Sequence, residues 1–195
     1  MLSLTKSFSI LFLFVMLASC SFAQKGEDVP SDAEPPFKIP KAGAFIDSLK
    51  PKDSVKRFNL SSANGFADIC EDTPKIFHDT VFNKHDIVFL KKQIMDNRTR
   101  EWMPADSVWG ATIITKAEIQ SFSVKGPIVG WDKFHKKYGK GYYLYSFPIF
   151  SVDGTKAVML KGFHDSGDNN PCSIDLYEKI KGKWKAVKAY SSWKE

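Results

Sequence analysis

The residues best equipped for chemistry lie together in His164-Asp165-Ser166-Gly167-Asp168-Asn169-Asn170. An imidazole, two carboxylates and two amides in one loop offer the oxygen ligands that calcium prefers. A histidine beside Asp165 or Asp168 is also the kind of pair that activates water in a small hydrolase. The candidate ligand or metal set is therefore His164, Asp165, Asp168 and Asn169. Two features favour a plain turn instead. Asp165 and Asp168 are three apart with no Glu closing the loop, which is not the EF-hand spacing. Gly, Asn, Asp and Ser are also what turns use for their own backbone reasons.

The remaining chemistry is sparse. His78, His85 and His135 complete the histidines, and no two stand four apart as a zinc-binding helix face requires. There is no Gly-x-Ser-x-Gly elbow, phosphate loop or dinucleotide fingerprint. Gly139-Lys140-Gly141 precedes a strand, the reverse of the order a dinucleotide site needs. No cofactor is expected. These absences exclude motif-bearing classes and leave open an enzyme whose groups converge only in the fold.

The first residues read as a secretory leader, 1–20. Lys6 is the positive n-region, and an apolar run from Ile10 to Leu17, too short to span a bilayer, is the h-region. Leu17-Ala18-Ser19-Cys20 resembles the bacterial lipobox at all four positions, which makes Cys20 the expected lipidation site. Ser21-Phe22-Ala23 before Gln24 has the small-x-small form of ordinary cleavage, the competing exit. A lipid would anchor the chain without spanning the membrane. Cleavage after Ala23 would leave it soluble, periplasmic or secreted. Either way Cys20 leaves the disulfide arithmetic, and Cys70 and Cys172 remain. In an exported chain they are a candidate disulfide, closing a loop worth about 4–5 kcal/mol in the chain-entropy model. The other reading is two buried thiols packing as small hydrophobes.

Residues 21–41 carry Pro30, Pro35, Pro36 and Pro40 among polar residues, which predicts an extended tether. Residues 42–195 then form one globular α+β domain. Its C-terminal part reads as four antiparallel strands in sequence order, 142–152, 156–163, 172–180 and 183–193. Asp153-Gly154 and Lys181-Gly182 turn the first and third corners. Pro148 implies an edge or a bulge in the first strand. The third strand alternates Ile174, Leu176, Ile180 against Asp175, Tyr177, Lys179, which predicts one covered and one wet face.

Two or three short helices are expected to cover one face of this meander. The clearest follows Asn83, an N-cap with Asp86 in capping-box position, and stops at Asn97. Its apolar stripe is Ile87, Leu90, Ile94 and Met95. A second runs over 131–138, with Trp131, Phe134 and Tyr138 on one face and Gly139 as its stop. Thr115 and Glu118 form a weaker capping signature over a segment that reads as helix or strand. Residues 42–82 supply apolar anchors without clear periodicity, apart from a short helical turn at Phe45-Ile46 and a candidate strand at 55–60.

Net charge is +6 and aromatics reach 14%, so the chain has the means for a real core and a mild attraction to anions. Lysines gather at 133–140 and along Lys179, Lys181, Lys183, Lys185 and Lys188. Lysine protects sheet edges, and an exported protein seldom meets nucleic acid, so no nucleic-acid partner is expected.

With the strands in view a resemblance emerges. Phe147-Pro148-Ile149-Phe150-Ser151, followed by Leu176-Tyr177-Glu178-Lys179 and Gly182-Lys183-Trp184, resembles the C-terminal half of uncharacterised secreted proteins of Bacteroidota. It covers about the last 60 residues. It implies export and a domain boundary, and no activity. Asp47-Ser48-Leu49, Asp53-Ser54-Val55, Asp79-Thr80-Val81 and Asp106-Ser107-Val108 also resemble the short O-glycosylation motif of that phylum. Together these features point to an exported, lipid-anchored envelope protein acting as a non-catalytic binding or accessory module. The membrane is its partner through Cys20, and its protein or glycan ligand is undefined. A small exported hydrolase at the His164–Asp168 loop is the alternative.

Overall fold

The structure is a computed structural model that describes residues 42–49, 57–106, 108–123, 127–166 and 170–194. The leader, the tether, Cys20, Asp168 and Asn169 lie outside the described residues. The described residues belong to one unit, Ala33–Glu195. In chain order the elements are α1 (Ala42–Leu49), β1 (Phe58–Ser61), α2 (Phe66–Phe77), α3 (Lys84–Asn97), a 3-10 turn (Pro104–Asp106) and β2 (Ala111–Ile114). Then come α4 (Lys116–Ser123), α5 (Pro127–Tyr138), β3 (Tyr142–Tyr145), β4 (Ile149–Phe150), β5 (Lys156–His164), β6 (Pro171–Ile180) and β7 (Lys183–Lys194).

The fold is α+β around one mixed, seven-stranded sheet of order β2-β1-β3-β5-β6-β7, with β4 also paired to β5. β3, β5, β6 and β7 pair antiparallel in succession. β1 adds to β3 in parallel, and β2 adds to β1 in parallel. The hairpin turns follow their residues. Gly154 takes φ +65°, and Lys181 and Gly182 take +50° and +78°, the paired positive φ that a two-residue turn matching the strand twist requires.

The single first strand expected over 142–152 is broken at Ser146-Phe147-Pro148. Tyr145 pairs with Lys161 while Ile149 pairs with Val158, so four residues advance on one strand against three on the other. That is the bulge Pro148 implied. Ser146 bridges the break. Its N–H donates to the Leu160 carbonyl at 3.0 Å, and its Oγ accepts from the Leu160 N–H at 2.9 Å.

α3 closes the outer edge of β4. The Gln93 amide donates to the Phe150 carbonyl at 2.8 Å and accepts the Phe150 N–H at 2.9 Å, standing in for a strand. Asp86 Oδ1 accepts the Val152 N–H at 2.8 Å, while Oδ2 completes the capping box with Asn83. The capping box and the stop of this helix are as expected from sequence. Of its expected stripe, Leu90 and Ile94 are buried and Ile87 packs against the core, while Met95 is 59% exposed and Asp86 and Gln93 are buried beside the others. A helix that must feed hydrogen bonds to a strand edge turns polar groups inward.

Other expectations need correction. Five α-helices occur among the described residues, not two or three. The undecided stretch 42–82 holds α2, with Ile69, Thr73 and Ile76 buried at i, i+4 and i+7. The wet face of the third strand is not wet: Asp175 and Tyr177 are 6% and 4% exposed, while Ile180 is 39% exposed. The segment after Thr115 is helical, with the Glu118 N–H donating to Thr115 Oγ1 at 3.2 Å. α5 begins at Pro127, because a first-turn residue needs no N–H. It ends at Gly139, whose φ is +81°.

The core joins α1, α2 and α3 to the strands. Phe45 meets the edges of Phe150, Tyr177 and Trp184 at 5.0–5.5 Å between ring centroids. The fully buried Trp102 stacks on Phe147 at 4.1 Å, and its indole N–H donates to the Tyr145 carbonyl at 2.7 Å. That bond holds the end of β3 where the bulge begins. β7 is one edge of the sheet, and Lys183, Lys185 and Lys188 lie exposed along it, as an unpaired edge requires. Asp79 ties β7 to the helices, accepting from Lys188 at 2.6 Å and Tyr190 at 2.9 Å.

Candidate functional site

The β3–β5–β6 register sorts side chains by face, since successive residues on a strand alternate. Tyr142 opposes His164, Tyr143 opposes Phe163, and Tyr145 opposes Lys161. Lys161 in turn opposes Ser173, which opposes Ser192. One face therefore carries Tyr143, Tyr145, Lys161, Phe163, Ser173 and Asp175. The other carries Tyr142, Leu144, His164 and Ile174.

The second of these faces holds His164, the first residue of the loop singled out from sequence. The His164 ring stacks on Tyr142, 5.2 Å apart and 11° from parallel. Asp165 engages another element: its Oδ1 lies 2.5 Å from His135 Nε2 on α5 and accepts the Ser166 N–H at 2.8 Å. The Asp165 N–H donates to Asn170 Oδ1 at 2.9 Å. Burial works against ionisation of Asp165. Hydrogen bonds from Ser166, His135 and the Gly141 backbone outweigh it, and the carboxyl titrates below the usual 3.8.

α5 is fastened over this face by Trp131 and Phe134 against Tyr142, and by Asn59. The Asn59 amide donates to the carbonyls of Tyr138, Lys140 and Gly141 at 2.9–3.1 Å. Gly141 sits so close that a Cβ there would fall 1.8 Å from the His164 carbonyl oxygen. His164 and Asp165 thus serve different neighbours. Among the described residues no three His, Cys, Asp or Glu side chains gather as a metal site.

The opposite face holds a pocket of about 490 Å³, lined by Tyr143, Tyr145, Lys161, Phe163, Ser173 and Ser192 among others. Tyr143 lies 4.9 Å from Phe163 and 5.6 Å from Tyr145, forming a continuous aromatic surface. Lys161 stands between Tyr145 and Ser173 in the register. Its ammonium contacts Asp175 Oδ2 at 2.8 Å, with the lysine side chain 46% exposed and the aspartate 8%. Asp175 also accepts from Ser173 Oγ at 3.2 Å and, weakly, from Tyr177 OH at 3.5 Å. Burial, with the neighbouring Tyr143, holds the Tyr145 phenol well above its ordinary value, so it stays protonated.

Sequence reasoning missed this pocket. The available signal was alternation through Tyr143, Tyr145, Lys161 and Phe163, which sets three aromatics and a lysine on one face. Cys172 is buried on β6, and its sulfur packs against Gly162, where a Cβ would approach it to 2.7 Å. Cys70 belongs to α2, but its side chain lies outside the described residues, as does any contact between the two thiols. Among the described residues no helix is long and apolar enough to cross a membrane. Comparison with family models, curated proteins and solved structures finds no match for this chain.

Proposed function

We propose that this chain is an exported, lipid-anchored binding module of the cell envelope whose recognition surface is the aromatic pocket on the β3–β5–β6 face. The observation that carries the proposal is the pocket itself. Its volume of about 490 Å³ lies in the range of roughly 300–1,000 Å³ typical of ligand sites. Its aromatic walls surround a few polar groups, the composition such sites favour. The leader, the Leu17-Ala18-Ser19-Cys20 sequence and the proline-bearing 21–41 stretch support tethering at Cys20. The C-terminal meander is then the scaffold, and the helices are its cover. The Cys70–Cys172 disulfide and the kinship with secreted Bacteroidota proteins belong to the same proposal.

Saturation-transfer NMR of the full chain against mixed sugars, fatty acids and short peptides tests the binding role. At least one class should show transfer that Phe163→Ala abolishes. Transfer from none, or transfer indifferent to Phe163, overturns it. For the anchor, mass spectrometry of the mature N-terminus should find an acylated Cys20, and a free Gln24 start overturns that part.

One observation favours a second reading, the small exported hydrolase. The His135–Asp165 contact of 2.5 Å is the kind that orients a general base, which moves the candidate base from His164 to His135. Under this reading His135→Gln removes nitrophenyl-ester hydrolysis. An activity unchanged by that substitution eliminates it.

A further inference from the structure

Resting on the pocket's role as a binding surface, we infer that its ligand is a neutral saccharide. Three properties of the pocket select this class. The first is the platform. Tyr143, Tyr145 and Phe163 form a continuous aromatic surface, and the C–H face of a pyranose ring packs on such a surface.

The second is the mixture of hydrogen-bonding groups. Lys161 and the protonated Tyr145 phenol donate. The Ser173 and Ser192 hydroxyls donate or accept. A sugar hydroxyl needs both roles, and the row Tyr145–Lys161–Ser173–Ser192 runs directly across three strand pairs.

The third is charge. Among the described residues Lys161 is the charged side chain lining the pocket, and Asp175 beside it carries the opposite charge 2.8 Å away. This pair is net neutral, so an anionic ligand gains little from Lys161. An acyl chain is disfavoured for another reason. It would strip water from the half-exposed Lys161 ammonium and return no hydrogen bond. A saccharide returns those bonds with its hydroxyls.

Asp175 is a positioning residue in this scheme. It does not line the pocket. It orients Lys161 and Ser173 from below and cancels the lysine charge. Its removal should therefore change the charge of the ligand that is preferred, an effect that loss of stability alone does not produce.

The test is calorimetric titration of the full chain with three classes of probe: neutral oligosaccharides of glucose, mannose, xylose and N-acetylglucosamine; a sulfated oligosaccharide; and decanoate. At least one neutral oligosaccharide should bind, and bind at least tenfold more tightly than its sulfated counterpart. Phe163→Ala and Lys161→Met should each weaken it tenfold or more, with both variants still folded at the titration temperature. Asp175→Asn should raise relative affinity for the sulfated probe. If decanoate or the sulfated probe binds in a Phe163-dependent way and no neutral sugar does, the saccharide inference falls and the binding role stands. If none of the three binds, the saccharide inference falls, and the mixed-library NMR decides the binding role separately. Neutral-sugar binding that survives Phe163→Ala also overturns the assignment of this pocket.

Discussion

The two faces of the β3–β5 pair differ in what they leave for a ligand, although they are built from alternating residues of the same strands. On one face Tyr142 and His164 are stacked beneath α5, and Asp165 accepts hydrogen bonds from His135, Ser166 and Gly141. On the other, Tyr143, Tyr145 and Phe163 line an open pocket, and Lys161 keeps about half its side chain in solvent. Both faces contain an aspartate beside a basic side chain. Asp165 is occupied in attaching a helix and ordering a loop. Asp175 is occupied too, but it holds Lys161 outward. A cluster of chemically able residues therefore becomes a site only where the fold has not already used their hydrogen-bonding capacity.

The contrast can be broken most severely at Trp102. Trp102→Ala removes a fully buried ring and the bond that fixes the Tyr145 carbonyl, and should destabilise the domain by about 3–5 kcal/mol. Urea unfolding measures this. A loss below about 1 kcal/mol would mean that the bulge, and with it the pocket wall, is held by something else.

Gly141→Ala probes the helix-covered face alone. The added Cβ meets backbone rather than a flexible side chain, so a cost of about 1–3 kcal/mol or more is expected. Hydrogen exchange should rise at 139–142 and 164–166, while pocket amides hold. A uniform rise across both faces would show that they are one cooperative unit.

Asp175→Asn should cost about 1–2 kcal/mol, less than a fully buried pair because Lys161 can turn to water.

A smaller effect is expected with pH. The folded Asp165 titrates below its unfolded value near 3.8. A depressed carboxylate adds stability that is present above 3.8 and lost as pH falls through the lower folded value. Asp165→Asn should flatten the acid limb of a stability–pH profile below about pH 4 and leave the neutral region nearly parallel to wild type. An unchanged acid limb would remove Asp165 from the attachment of α5.

The smallest change is Met95→Lys on the exposed side of α3. It should stay within about 0.5 kcal/mol by urea unfolding, because Met95 stands off the packed stripe of Ile87, Leu90 and Ile94.

Much of the local structure was legible. Asn83 and Asp86 announced the capping box, and Gly139 the end of α5. Lys181-Gly182 marked a hairpin corner, and Pro148 the bulge. Each is a backbone requirement met by a residue a few positions away. α2 was not legible, because Thr73 interrupts its apolar face and Pro74 argues against helix, although both are accommodated. The parallel additions of β2 to β1 and of β1 to β3 left no local mark, since they join residues about 50 and 80 positions apart.

The sequence by itself determined the α+β class, the turns and caps, and the expectation of a leader ahead of a folded domain. Tertiary structure decided the site. Alternation alone separates Tyr143 from Tyr142 and Phe163 from His164. Which side of the β3–β5 pair receives α5 depends on where α5, Asn59 and Gly141 meet, and that meeting joins segments no local pattern connects. Of the loop rich in reactive side chains, His164 and Asp165 fell on the side that α5 covers. The pocket proposed as the recognition surface lies on the other, among Tyr143, Tyr145, Phe163 and Lys161.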